Sequence, residues 1–234
     1  MQALASLTSP DGNTITVPGY YDGIRPPTQE EQRLINGLLR TWDDSVIKRL
    51  CAVERWIDGV AREEAILRFL YETTLNIDGL WSGYTGEGAK TILPHKATAK
   101  VDSRLVPNQR PDDALALIRR HLEACGFGDI AVRKLYGYPP AQTSVETSIV
   151  QAVISVFNKY GHTLEVWPRL PGSAPYYQFT ERLGLPVTLA GLGHGWNLHA
   201  PNEYMVIQPQ PGSKIASLAE MEKAYVDLLY AVAL

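Results

Sequence analysis

Apolar positions recur at helical spacing over much of this chain. Leu34, Ile35, Leu38, Leu39 and Trp42 share one helix face, and Thr28 with Glu31 forms a capping box ahead of them. The period continues through Val46, Ile47 and Leu50, then Val53, Trp56 and Ile57, then Ala65, Ile66, Phe69 and Leu70, predicting a helical stretch over about 28–72. Its carboxylates, Glu30, Glu31, Asp43, Asp44, Glu63 and Glu64, are expected in first turns or on polar faces. Before it, residues 1–7 predict a short helical piece, and residues 15–21 a strand stopped by Pro26-Pro27.

The period then changes to two. Residues 73–81 alternate as a strand, and a glycine-rich turn at 83–88 leads to another. Residues 97–105 give the clearest strand: Ala97, Ala99, Val101, Ser103 and Leu105 face one way, and Thr98, Lys100, Asp102 and Arg104 the other. One packed and one wet face are expected. Pro111 opens a helix whose buried stripe is Ala114, Leu117, Ile118, Leu122 and Cys125, with His121 beside it as a packed or partly buried imidazole. Gly126 ends it, and a strand is expected over 130–135. The order is that of a split βαββαβ sandwich without its first strand.

Tyr138-Pro139-Pro140-Ala141 marks a domain boundary. Beyond it, Thr143 and Glu146 form a second capping box before a helix carrying Val145, Ile149, Val150, Val153, Ile154 and Phe157. A short strand over 163–167 follows. Ser173 is then placed as the N-cap of a helix holding Tyr176, Tyr177, Phe179 and Leu183. A buried strand over 185–190 runs into a loop of glycines and histidines over 191–204, and a last helix carries Leu218, Met221, Tyr225, Leu228, Leu229 and Val232.

Composition changes this picture little. The 234 residues are 45% hydrophobic and 20% charged, as in an ordinary globular protein, with a formal net charge of −3. The acidic balance argues against a nucleic-acid surface. No apolar run is long enough for a membrane span, and no secretion signal is visible, so the cytoplasm is the expected compartment. Cys51 and Cys125 are expected as free, half-buried thiols.

Three groups could carry chemistry. A helix start at Gly172-Ser173 would offer free N–H groups to an anion. A carboxylate suits it better than a phosphate, since no cluster of basic residues adjoins it; a plain N-cap accounts for the same residues. Among five histidines none shows HExxH or HxH spacing. His199 can supply one ligand to a zinc site, but spacing assembles no companions. Ser173 lies in Gly-Ser-Ala-Pro rather than GxSxG, so no nucleophile elbow is indicated. Arg104, ending the polar row of its strand, is by pattern a solvated or ion-paired surface arginine.

Four stretches together resemble one family: Thr91-Ile92-Leu93-Pro94 leading to Arg104-Leu105-Val106-Pro107, the Gly172-Ser173-Ala174-Pro175 turn, the glycine loop 191–195, and His199-Ala200-Pro201-Asn202-Glu203. They look like the zinc-dependent peptidases and amidohydrolases of carnosinase, glutamate carboxypeptidase, aminoacylase and succinyl-diaminopimelate desuccinylase. Tyr20-Tyr21-Asp22 and the 81–86 stretch favour the carnosinase-like dipeptidase branch. The resemblance implies an α/β chain in two parts: a dimerisation lid over 1–142, with the helical insertion 28–72, and the C-terminal part of a two-zinc catalytic domain over 143–234.

It further implies His199 as a metal ligand, Gly172 and Ser173 as the turn for the substrate carboxylate, and Arg104 and Thr91 as lid residues reaching substrate, in this branch often in the partner's site. The implied reaction is hydrolysis of a dipeptide or N-acyl amino acid by a homodimer with two zinc ions, or manganese or cobalt in their place. The family's other ligands and its general-base glutamate have no counterpart in the sequence. Leu170-Pro171 also stands where this branch usually has Glu-Gly. The chain is therefore expected to be inactive alone and to bind zinc weakly at best. The competing expectation is a non-catalytic dimerisation or carboxylate-binding module.

Overall fold

The structure, a computed structural model, describes residues 1–161, 164–213 and 215–233. It is mixed α/β and divides into two units. The first comprises Met1–Glu30, Trp42–Pro140 and Arg169–Pro175; the second comprises Glu31–Thr41, Ala141–Pro168 and Tyr176–Leu234.

In the first unit, helix α1 (Gln2–Ala5) precedes a compact segment that packs on a later helix. Leu7, Ile15, Val17 and Tyr20 are buried with Ala114 and Leu122 of α5 (Pro111–Ala124). Full burial of each large side chain contributes about 2 kcal/mol. The strand expected over 15–21 does not form. Only Thr8 and Ile15 bridge, and Pro18 with Gly19 at φ +81° turns the chain at once.

The helical stretch breaks into pieces. Helix α2 (Gln29–Thr41) ends before α3 (Asp44–Leu50), which Asp43 caps through the Ser45 N–H. A 3₁₀ turn (Ile57–Gly59) precedes α4 (Arg62–Tyr71). The breaks let Trp42 stack on Trp56 at 6.4 Å, while Trp56 Nε1 donates to Asp44.

Strands β1 (Thr74–Ser82) and β2 (Ala97–Arg104) pair antiparallel from Thr74 opposite Arg104 to Ser82 opposite Ala97. Asp78 is an extra residue between Ile77 and Gly79, and this bulge shifts the register. The clean alternation expected of β2 is lost: Val101 is exposed while Asp102 is half-buried. The 83–88 turn leads through an exposed loop, with Ile92 and Leu93 in solvent, into β2, the further strand expected after it.

Residues 130–135 join no ladder. Arg119 donates to the Val132 carbonyl and Lys134 pairs with Asp112, so side chains of α5 hold this segment. Among the described residues the sheet of this unit therefore has two strands, not the three expected of a sandwich lacking its first. His121 is half-buried as expected, with Nε2 2.6 Å from the Ser6 carbonyl, which makes that nitrogen the protonated one. Cys51 and Cys125 are free but exposed rather than half-buried.

In the second unit, α6 (Ser148–Lys159) packs on α7 (Leu218–Ala233). Val153, Val156 and Phe157 are buried with Leu192, Ala216 and Ala224. The expected Thr143 capping box is absent. Helix α6 starts later, and Thr143 Oγ1 accepts from the Val187 N–H instead. A box does form at α7, where Glu220 accepts from the Ser217 N–H and Ser217 Oγ accepts from the Glu220 N–H. On α7, Met221 and Leu228 pack on the core, whereas Tyr225, Leu229 and Val232 of the expected stripe are exposed.

Glu31 departs from the solvent role expected of it. It is 7% exposed and accepts from Gln142 Nε2. The strand expected over 185–190 joins no ladder, and Leu185 and Leu189 are about half exposed (52% and 53%). The strand expected over 163–167 lies partly outside the described residues, and residues 164–167 pair with nothing in a ladder. No described helix is long and apolar enough to cross a membrane.

Candidate functional site

The Gly172-Ser173 turn belongs to the first unit. It is not a helix start. The next helical element along the chain is a single turn, Gln178–Arg182, beginning five residues after Ser173, so the helix-dipole argument for an anion does not apply. The turn is held by side chains instead. Ser173 Oγ lies 2.7 Å from the Tyr138 hydroxyl, and a Cβ on Gly172 would meet Leu170 at 3.2 Å. Gly172 and Ser173 are both exposed and open to a ligand.

Arg169, three residues before Gly172, was not singled out by pattern. Its guanidinium sits 3.9 Å from the centre of the Tyr71 ring, a close cation–π contact that brings a fixed positive charge into this short segment. Arginine followed within a few residues by a Gly-Ser turn was the available signal, and only the fold reveals Tyr71 beneath it.

Arg104 ends β2. Its Nε donates to Asp102 Oδ2 at 2.8 Å, while its carbonyl accepts from Thr73 Oγ1. This is the ion-paired state anticipated by pattern, and it leaves the guanidinium half exposed. Thr91 lies in the exposed loop between β1 and β2, in the same unit.

His199 lies in the second unit, in a loop between two short paired strands, β3 (Gly195–Trp196) and β4 (Tyr204–Met205). A Cβ at Gly195 would come within 2.8 Å of the Tyr204 carbonyl, which is why glycine stands there. Asn197 (φ +58°) and His199 (φ +66°) are both left-handed, a conformation that costs a non-glycine residue about 1 kcal/mol or more. The exposed His199 is fixed through its backbone: its N–H donates to Glu203 Oε2 at 3.2 Å. His194 stacks on Trp196 at 6.2 Å and tilts against Tyr204.

Two zinc ions need a cluster of histidines and carboxylates. Among the described residues no group of three or more His, Cys, Asp or Glu side chains is placed to hold a metal. Glu203, the acidic group beside His199, is engaged with the His199 N–H. The donor set present thus does not fit a two-metal centre. His162 lies outside the described residues.

The chain is 30% identical to an M20 family metallo-carboxypeptidase from Sulfolobus solfataricus, with a TM-score of 0.74, covering 98% of this chain and 49% of that one. It is 25% identical over 209 residues to a Beta-Ala-His dipeptidase of Rattus norvegicus, covering 86% of this chain and 41% of that protein. It is 28% identical over 119 residues to the Cys-Gly metallodipeptidase dug1 of Schizosaccharomyces pombe, covering 51% of this chain and 24% of that protein. The chain thus spans less than half the length of these relatives. Residues 1–126 match the family described as peptidase dimerisation domain, and the chain belongs to the M20 peptidase family.

Proposed function

We propose that this chain is the lid and the C-terminal catalytic part of an M20 metal-dependent hydrolase of dipeptides or N-acyl amino acids, divided near residue 142. In this reading His199 is one ligand of a two-zinc site. Gly172 and Ser173 take the substrate's free carboxylate. Arg104 and Thr91 reach substrate from the lid, and the lid makes a homodimer. The observation that carries it is the likeness over 98% of the chain to the Sulfolobus metallo-carboxypeptidase. The names of the rat and yeast relatives support dipeptides as the substrate class.

The remaining metal ligands belong, on this reading, to the part of the M20 fold that the chain does not span, since the described residues do not assemble them. What the chain itself contributes is binding and orientation. The exposed Gly172-Ser173 turn offers donors to a carboxylate, Arg169 brings a positive charge into the same short segment, and the 197–203 loop fixes the His199 backbone. The match of residues 1–126 to a dimerisation domain favours a second reading, a dimerisation and carboxylate-binding module without catalysis.

Assays of β-alanyl-L-histidine and L-cysteinyl-glycine hydrolysis with added zinc, manganese or cobalt separate the readings. The chain alone is expected to be silent. Joined to the part of the rat dipeptidase that precedes the matched region, it is expected to gain metal-dependent turnover that His199→Ala abolishes. Turnover by the chain alone, or a joined enzyme indifferent to His199→Ala, would overturn the first reading.

A further inference from the structure

We propose that Tyr138 is a positioning residue for Ser173: its phenol fixes the serine hydroxyl so that its proton points at an incoming carboxylate. The inference rests on the reading of Gly172-Ser173 as the carboxylate turn and names the residue that prepares it.

The two hydroxyl oxygens lie 2.7 Å apart, a short and specific contact between residues 35 apart in sequence. Tyr138 is half-buried, whereas Ser173 is exposed. Tyr138 directly precedes Pro139-Pro140, so its backbone is restricted to extended conformations and its ring is carried on a stiff segment. The turn that it meets is held from the other end by Arg169 on Tyr71 and by the packing of Leu170 against Gly172.

A serine hydroxyl donates once and accepts twice; an ionised carboxylate only accepts. When a carboxylate arrives, Ser173 must donate to it, and the Tyr138 contact is kept only with the phenol as donor. The phenol is the more acidic of the two hydroxyls, which favours that direction. The resulting chain, phenol to serine to carboxylate, polarises along its length, so the serine becomes a better donor than it would be alone. Tyr138 touches no ligand in this scheme and acts through Ser173.

The test uses the whole chain and two probes, β-alanyl-L-histidine and its C-terminal amide, followed by the Gly172 and Ser173 amide resonances. Tyr138→Phe, Ser173→Ala and the double variant are compared with the wild type. Tyr138→Phe is expected to weaken the free-acid dipeptide about fivefold, the worth of one ordinary hydrogen bond, and to leave the amide unchanged. The double variant is expected to bind no more weakly than Ser173→Ala alone, because the two residues act as one unit. An unchanged acid-to-amide ratio in Tyr138→Phe, equal weakening of both probes, or additive losses would overturn the proposal. If the wild type shows no shift at Gly172 and Ser173, or Ser173→Ala costs nothing, the carboxylate-turn reading itself fails, and this proposal falls with it. If Ser173→Ala costs affinity and Tyr138→Phe does not, only this proposal falls.

Discussion

The Tyr20 hydroxyl lies 2.6 Å from Ser103 Oγ, joining the N-terminal segment to strand β2 across 83 positions. Tyr20 is also 1% exposed, and its carbonyl accepts from Gln109 Nε2. Tyr20→Ala is expected to cost about 4 kcal/mol through the cavity it opens, and Tyr20→Phe about 1 kcal/mol through the lost hydrogen bond. Urea unfolding measures both. Burial holds the Tyr20 phenol above its ordinary value of 10.0. The stability tied to it is therefore full below pH 10 and declines as pH rises through the folded-state value. Tyr20→Phe should lack that alkaline decline.

A second prediction concerns Asp227, which accepts from Lys159 Nζ and from the Tyr160 hydroxyl, both at 2.7 Å, and so ties α7 to the end of α6. The Lys159 hydrogen bond and then that of Tyr160 hold this carboxyl below its ordinary value of 3.8. The favoured form is the anion. Its stabilisation is present above pH 3.8 and is lost as pH falls through the lower folded-state value. Asp227→Asn should thus lower the thermal midpoint at pH 7, and the gap to wild type should close in strong acid. A gap that is undiminished from pH 7 into strong acid would contradict the account.

Long periodic stretches were legible in the sequence, and tertiary exchanges of partners were not. Helices α5, α6 and α7 stand near where their stripes put them, because a buried helical face recurs every three to four residues. The Thr143 box failed since its hydroxyl serves Val187, forty-four positions away, a competitor that no local pattern reveals. The strand over 130–135 failed because Arg119 and Asp112 satisfy that segment from the side. Of the candidate site, the Gly-Ser turn and His199 were visible as motifs. Tyr138 and Tyr71, which hold the turn and Arg169, carry no signal outside the fold.

Gln142 supplies a donor to the buried Glu31 carboxylate. Gln142→Leu removes that donor while keeping much of the volume, and a weakened hydrogen bond to a buried charged group costs about 2 kcal/mol. The loss should appear in urea unfolding at pH 7. Glu31→Gln in the same background should recover part of it, since a neutral amide tolerates burial better than a carboxylate.

The lid reading predicts a dimer. Ile77, Leu80, Trp81 and Val101 of the two-stranded sheet are all 40% or more exposed. Sedimentation equilibrium is expected to give a homodimer in the micromolar range or tighter. A charge introduced at Val101, as Val101→Glu, should raise the dissociation constant at least about tenfold by placing an unpaired carboxylate in the contact. A wild-type monomer at all concentrations would contradict the lid reading.

On the proposed reading, His199 is one ligand of a metal site whose other ligands the described residues do not supply. Zinc titration of the purified chain against a competing chelator tests it most directly. The account predicts no stoichiometric site, with weak binding at most that His199→Ala reduces further. A tight site of one or two zinc ions per chain would contradict it.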